Sequence, residues 1–91
     1  MITDNQSPTT KVTGLLYPQG IREDCEFSSL EDLYFDIMNT PVIDQSERFP
    51  YYVVFEDGVV APFVLDYFRL AFDKGKIYEH QLRAMLVESG I

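Results

Sequence analysis

Carboxylates are the side chains best placed to bind a partner in this 91-residue chain, and they are concentrated in one stretch. Between Glu23 and Glu47 there are eight of them and neither Lys nor Arg. The parts before and after carry +1 and −1, so these 25 residues hold the whole net charge of −8. Such a concentration of like charge repels itself unless solvent, salt or a cationic partner screens it. The eight are Glu23, Asp24, Glu26, Glu31, Asp32, Asp36, Asp44 and Glu47.

Local helix chemistry explains only part of this run. Glu31 and Asp32 follow a serine pair that begins a helix, where negative charge is favourable near the positive end of the helix dipole. Asp36 lies one turn after Asp32, and like charges at i and i+4 destabilise a helix by roughly 0.2 to 0.5 kcal/mol. Two interpretations stay open. The acidic side is a solvated face that keeps the protein soluble, or it docks on a basic surface of another macromolecule.

For the second interpretation we name a candidate partner-binding set. Phe35 joins the carboxylates because it projects from the charged side of the helix, and interfaces are enriched in aromatic residues. Its alternative role is to cover the edge of the core. The candidate set is Glu23, Asp24, Glu26, Glu31, Asp32, Phe35 and Asp36.

No residue pattern indicates catalysis. Cys25 is surrounded by carboxylates that disfavour the thiolate, so we interpret it as an incidental small side chain. His80 has no second histidine at metal-binding spacing and is predicted to be a surface helix residue. The chain contains no phosphate-binding loop, dinucleotide fingerprint or nucleophile elbow. We therefore predict that it is not an enzyme and has no cofactor.

Metal, nucleic acid and membrane are each disfavoured as ligands. The carboxylate pairs Asp32/Asp36 and Glu23/Glu26 lack the alternating pattern of a calcium loop, so no metal site is predicted. With a sequence pI near 4.3, direct nucleic-acid binding would oppose the phosphate field. No segment approaches the roughly 18 consecutive apolar residues of a membrane helix. A single cysteine and an N-terminus without a signal-peptide pattern favour the cytoplasm.

Composition and pattern predict one folded domain. The chain is 46% hydrophobic, with seven Phe and six Tyr, which is too apolar for disorder. We expect residues 1–8 to be a flexible tail and residues 9–91 to be a single globular domain. A first strand is predicted from Thr9 to Tyr17, with a bulge at Gly14, and it is closed by Pro18 and Gly20.

The best-defined helix begins at Ser28 and Ser29, whose hydroxyls followed by acidic residues are typical of a capped start. It is predicted to end near Asn39, before Pro41. Apolar residues recur at helical spacing and should face the core. These inward residues are Leu30, Leu33, Tyr34 and Ile37.

A β-hairpin is predicted over residues 51–61. The apolar run from Tyr51 to Phe55 is followed by Asp57-Gly58, which favours a type I′ turn with positive φ at both positions. The return strand would run from Val59 to Ala61.

Two helices are predicted after the hairpin. Pro62 suits the first turn of a helix that continues through residues 63–74 to a C-capping Gly75. Asp66, Arg69 and Asp73 would form its one solvated stripe. A final helix over residues 77–88 would turn three side chains inward, namely Leu82, Met85 and Leu86. The fold class is therefore α+β, with a small antiparallel sheet (the N-terminal strand plus the 51–61 hairpin) and about three helices packed on it.

The leading functional hypothesis is a small acidic, non-catalytic binding protein. It would act as an inhibitor or regulator that covers a basic site of a partner protein, and in the extreme form of this hypothesis that site binds nucleic acid and the chain is a phage-type antagonist or nucleic-acid mimic. This is an analogy from charge and size. The alternative is a structural or assembly subunit that homodimerises or docks through an exposed apolar sheet or helix face.

Overall fold

In the part of the chain that the structure describes, the fold consists of a four-stranded antiparallel sheet and three helices, as the α+β prediction requires. The computed structural model describes residues 8–18, 20–22, 26–40 and 49–90, with the backbone alone at residue 22. In chain order the elements are β1 (Val12–Tyr17), β2 (Gly20–Arg22), α1 (Leu30–Asn39), β3 (Tyr52–Phe55), β4 (Val60–Pro62), α2 (Leu65–Phe68, continued by a π-helical turn, Arg69–Asp73) and α3 (Glu79–Ser89).

The sheet has the strand order β2-β1-β3-β4, so β1 and β3 are central. The pairing register shifts between Val12 and Gly14, which confirms the predicted bulge. Strand β2 was not predicted. Pro18 and Gly20 do not simply end β1, because the chain turns between Tyr17 and Gly20 and pairs back on it. Three residues are too few for a periodic pattern to reveal a strand.

The 51–61 hairpin is confirmed, but its predicted turn type is wrong. Gly58 has a φ of +90°, and every described residue with a positive φ is a glycine. Asp57 therefore has a negative φ and does not fit a type I′ turn. The Gly58 N–H donates to the Phe55 carbonyl at 2.9 Å, and the Phe55 N–H donates to the Val59 carbonyl at 2.8 Å. These bonds close a three-residue loop in which only the glycine must adopt the left-handed conformation.

Pro62 ends a strand and does not begin a helix, which corrects the prediction. It pairs with Tyr52 as the last residue of β4, an edge strand, where a proline without N–H is tolerated. The next amide, Phe63 N–H, donates to the Tyr51 carbonyl at 2.8 Å, so the sheet retains this segment and α2 begins only at Leu65. Gly75, with φ +64°, follows the π-helical turn as the predicted C-terminal glycine.

The helices pack on one face of the sheet. Leu15, Val53 and Ala61 are cross-strand neighbours and are buried against them. All four inward residues predicted for α1 are buried, as are Leu82 and Leu86 of α3, while Met85 is half-buried. The predicted solvated stripe of the second helix is exposed as well. Helical periodicity therefore identified the core side of each helix.

The opposite face of the sheet is apolar and only partly covered. Its two cross-strand rows join Ile21, Leu16, Tyr52 and Pro62 in one and Gly14, Val54 and Val60 in the other. Ile21 is 57% exposed, Tyr52 45% and Val60 53%. Solvated faces of antiparallel sheets usually carry polar residues. We call the surface of these two rows the outer sheet face.

Candidate docking surface on helix α1

The start of α1 is fixed by bonds from three parts of the chain. The Asp32 N–H donates to the Ser29 hydroxyl at 3.1 Å, which is the predicted cap. The Leu30 N–H donates to the Glu79 carboxylate of α3 at 2.8 Å. Just upstream, Phe27 and Val12 exchange two backbone hydrogen bonds of 2.9 Å, which tie the approach to the helix to β1. The orientation of α1 is thus set by the sheet and by α3.

Four neighbouring residues of α1 are exposed on the side away from the core, and we call them the acidic face: Glu31, Asp32, Phe35 and Asp36. Among the described residues, no Lys or Arg forms an ion pair with any of the three carboxylates. The Asp32 carboxylate accepts a hydrogen bond from the Ser28 hydroxyl at 3.0 Å. The last turn of α1 contains no basic residue.

Phe35 both covers the edge of the core and faces solvent, with 44% of its surface exposed. Its ring lies edge-on to Tyr34, with centroids 5.5 Å apart, and 6.5 Å from the ring of Phe72. Phe72 belongs to the π-helical turn, so that turn supports the ring from behind. The ring therefore covers the edge of the core, and its part in partner binding stays a prediction.

Tyr34 links the acidic helix to the same turn. Its hydroxyl donates to the Asp73 carboxylate at 2.8 Å, and its ring lies 5.5 Å from Phe72. Burial, and then the hydrogen bond to the carboxylate, raise the pKa of this hydroxyl above its ordinary value. It remains a neutral donor that holds α1 against the π-helical turn.

A shallow depression runs along the acidic face, and we call it the α1 depression. Two aromatic rings and two carboxylates contribute to it, and polar residues at the end of α1 complete it. Its lining is Phe27, Asp32, Phe35, Asp36, Asn39 and Thr40. Phe27 was not among the predicted site residues. Only its bridge to Val12 places it beside the helix, and no local sequence signal shows that pairing.

Of the other predicted binding residues, Glu26 alone lies within the described part of the chain. Glu26 is exposed but forms an ion pair with Lys11 at 3.6 Å, and Lys11 also pairs with Glu56 at 3.5 Å. The charge of Glu26 is therefore partly compensated by a lysine 15 residues earlier in the chain, and no local pattern predicts that pairing. Glu23 and Asp24, like Cys25, Asp44 and Glu47, lie outside the described residues.

Arg83 is a charged residue that sequence reasoning missed. It is 7% exposed, and its guanidinium donates to the Asp57 carboxylate at 3.0 Å and to the Thr9 carbonyl at 3.0 Å. The guanidinium carbon also lies 4.5 Å from the centre of the Phe55 ring. Burial alone would raise the pKa of Asp57, but a hydrogen bond from Val59 N–H and the bonds and charge of Arg83 hold that pKa below its ordinary value.

Two further candidates for chemistry are His80 and a metal site. His80 is exposed on α3 and stacks on Tyr78, with ring centroids 6.0 Å apart. Within residues 8–18, 20–22, 26–40 and 49–90, no group of three or more His, Cys, Asp or Glu side chains could hold a metal ion. No helix in those ranges is both long and apolar enough to cross a bilayer.

Comparison with known proteins adds no assignment. No protein-family model matches the chain, and neither the curated proteins nor the solved structures include a significant match. The functional argument therefore depends on the surfaces described above.

Proposed function

We propose that this protein is a non-catalytic binding protein that docks the acidic face of α1 on a basic surface of a partner protein in the cytoplasm. The observation that supports this most is that exposed carboxylates, which no Lys or Arg of the described residues pairs with, lie beside a half-exposed aromatic ring on one side of α1. Complementary charge speeds association and selects the partner, while an aromatic residue supplies contact area.

Occupying a site that normally holds phosphates is the form of inhibition that this surface suits best. Carboxylates on successive turns of a helix would stand in for backbone phosphates, and the partner would be a nucleic-acid-binding protein of the kind that phage-type antagonists block. The proposal needs no chemistry from the chain itself, because occupancy of the partner's site is sufficient.

Charge reversal tests this proposal directly. Tagged protein would be used to capture partners from host lysate at low and high salt, and the double variant Asp32→Lys/Asp36→Lys should lose the captured protein. The matched control, Asp66→Lys/Glu88→Lys, changes the net charge equally at exposed positions on α2 and α3 and should retain it. The proposal is ruled out if both double variants capture the partner equally well. It is also ruled out if high salt leaves the capture by wild type unchanged.

The outer sheet face favours a second candidate function, assembly with a second copy or with an apolar surface. Ile21, Tyr52 and Val60 are exposed there, and contiguous apolar patches mark interaction sites. Sedimentation over a dilution series would reveal a dimer. Val60→Lys should then shift the population to monomer without unfolding it, since Val60 is not in the core. A wild-type protein that stays monomeric throughout the series would eliminate the homodimer.

A further inference from the structure

The α1 depression combines two chemistries that one kind of side chain satisfies together. The rings of Phe27 and Phe35 provide apolar surface, while Asp32 and Asp36 provide negative charge on successive turns of α1. An aliphatic side chain placed here would displace water from the two carboxylates. It could not replace the hydrogen bonds that this water makes, so its binding is unfavourable. An acidic side chain would be repelled. A long cationic side chain with an apolar stem fits both parts of the lining.

The parts of the lining are held in place before any partner arrives. The ring of Phe35 is supported by Tyr34 and Phe72, and Phe27 is tied to β1 through two backbone hydrogen bonds. At the other end, Thr40 donates both its N–H, at 3.0 Å, and its hydroxyl, at 2.6 Å, to the Asp36 carbonyl. A preorganised surface loses less conformational entropy on binding than one that must order itself.

We propose that the α1 depression takes an arginine side chain of the partner, with its guanidinium on the ring of Phe35 and its N–H groups directed to Asp32 and Asp36. Arginine is favoured over lysine for two reasons. The planar guanidinium stacks on aromatic faces, and its fork of donors matches carboxylate oxygens, whereas an ammonium group is compact and strongly hydrated. This inference rests on the proposed function and specifies which basic residue the acidic face recognises.

Short peptides test the inference without the natural partner. The probes are acetyl-Gly-Arg-Gly-amide and the same peptide with lysine or with citrulline, a neutral isostere of arginine. Amide chemical shifts of the whole protein are followed by NMR during titration. We expect saturable shifts at residues 27–40 with arginine, about two- to fivefold weaker affinity for lysine, and no saturable binding of citrulline.

Variants separate the ring from the charge. Phe35→Leu keeps the carboxylates and should reduce arginine affinity to that of lysine, whereas Phe35→Tyr keeps a ring and should retain the preference. Asp32→Asn/Asp36→Asn should abolish binding of both cationic peptides. Asp66→Asn/Glu88→Gln on α2 and α3 removes the same number of charges at exposed positions, so it is the matched control and should change neither affinity. Unchanged amide shifts in the rest of the spectrum establish that each variant is folded.

Two results would overturn the inference in different ways. Equal affinities for arginine and lysine, unaffected by Phe35→Leu, would show that charge alone acts and would leave the proposed function intact. Cationic peptides that bind equally well after Asp32→Asn/Asp36→Asn would place their site elsewhere. If the charge-reversal variant also retained its captured protein, the proposed function would fail as well.

Discussion

Arg83 shows how one buried charge can organise distant segments. Its guanidinium binds Asp57 at the tip of the β3–β4 hairpin and the carbonyl of Thr9 before β1, and it lies over the ring of Phe55. A buried cation is tolerated only when its donors are satisfied. Here α3, the hairpin and the N-terminal segment are linked through a single side chain.

The first prediction concerns the strength of that link. Arg83→Met should lower the free energy of unfolding by about 1.5 to 3 kcal/mol, because hydrogen bonds to charged groups contribute on that scale. Urea unfolding of Arg83→Met, Asp57→Asn and the double variant completes a double-mutant cycle. We expect a coupling free energy of about 1 kcal/mol, within the range for side chains in contact. Strict additivity of the two single changes would contradict this account.

The second prediction follows from the lowered pKa of Asp57. A carboxyl whose pKa is depressed in the folded state stabilises the protein above its ordinary pKa of about 3.9 and loses that contribution as the pH falls through the folded-state value. The free energy of unfolding should therefore fall more steeply below about pH 4 in wild type than in Asp57→Asn. Urea titrations at a series of pH values measure the difference, and parallel profiles would refute it.

At the scale of the element, α1 combines favourable and unfavourable charge. Glu31 and Asp32 lie in its first turn, where the helix dipole stabilises them, whereas Asp36 lies a turn later and the last turn contains no basic residue. Charge that local helix energetics disfavour is what the proposed docking function would require. Substitutions in α1 are therefore the ones expected to change stability and binding in opposite directions.

The third prediction compares two isosteric changes on that helix. Asp36→Asn should raise the free energy of unfolding by about 0.5 kcal/mol at low salt, because it removes repulsion from Asp32. Asp32→Asn relieves the same repulsion but also removes first-turn charge and weakens the bond from Ser28, so it should lower the free energy of unfolding, by less than about 0.5 kcal/mol. Thermal unfolding at low and high NaCl measures both. The increase in the free energy of unfolding caused by Asp36→Asn should become smaller as salt is raised. If Asp36→Asn instead destabilises the protein, the charge of Asp36 contributes to folding.

For the whole molecule, the sheet divides two kinds of surface. The acidic face belongs to a helix packed on one side of the sheet, and the outer sheet face on the other side is apolar. The ion pairs of Lys11 with Glu26 and Glu56 are exposed and stabilise the fold little, and the net charge of −8 already includes that lysine. Repulsion among the remaining carboxylates thus acts on the folded state as a whole.

The fourth prediction is that salt affects folding and partner binding in opposite directions. Raising NaCl from low to physiological concentration shortens the screening length to about 8 Å, which should raise the melting temperature by relieving repulsion. Over the same range, affinity for the basic partner should fall. Calorimetry and binding measurements in matched buffers provide the two trends. A melting temperature that falls with salt would mean that favourable ion pairs dominate.

The sequence by itself determined the features that depend on neighbouring residues. The serine cap and the spacing of Leu30, Leu33 and Ile37 specified where α1 begins and which side is buried, since both follow from bonds and periodicity within a few turns. The bulge at Gly14, the hairpin and the exposed carboxylates of α1 were predictable for the same reason.

Only the tertiary structure decided the features that join residues far apart in the chain. Pro62 ends a strand because Phe63 N–H bonds to Tyr51, and Phe27 lines the α1 depression because it pairs with Val12. Arg83 follows Leu82 on α3, so helical spacing places it at the edge of the buried side, and its partners come from two other segments. Local pattern carries no information about such pairings, because they depend on how the helices and strands pack together.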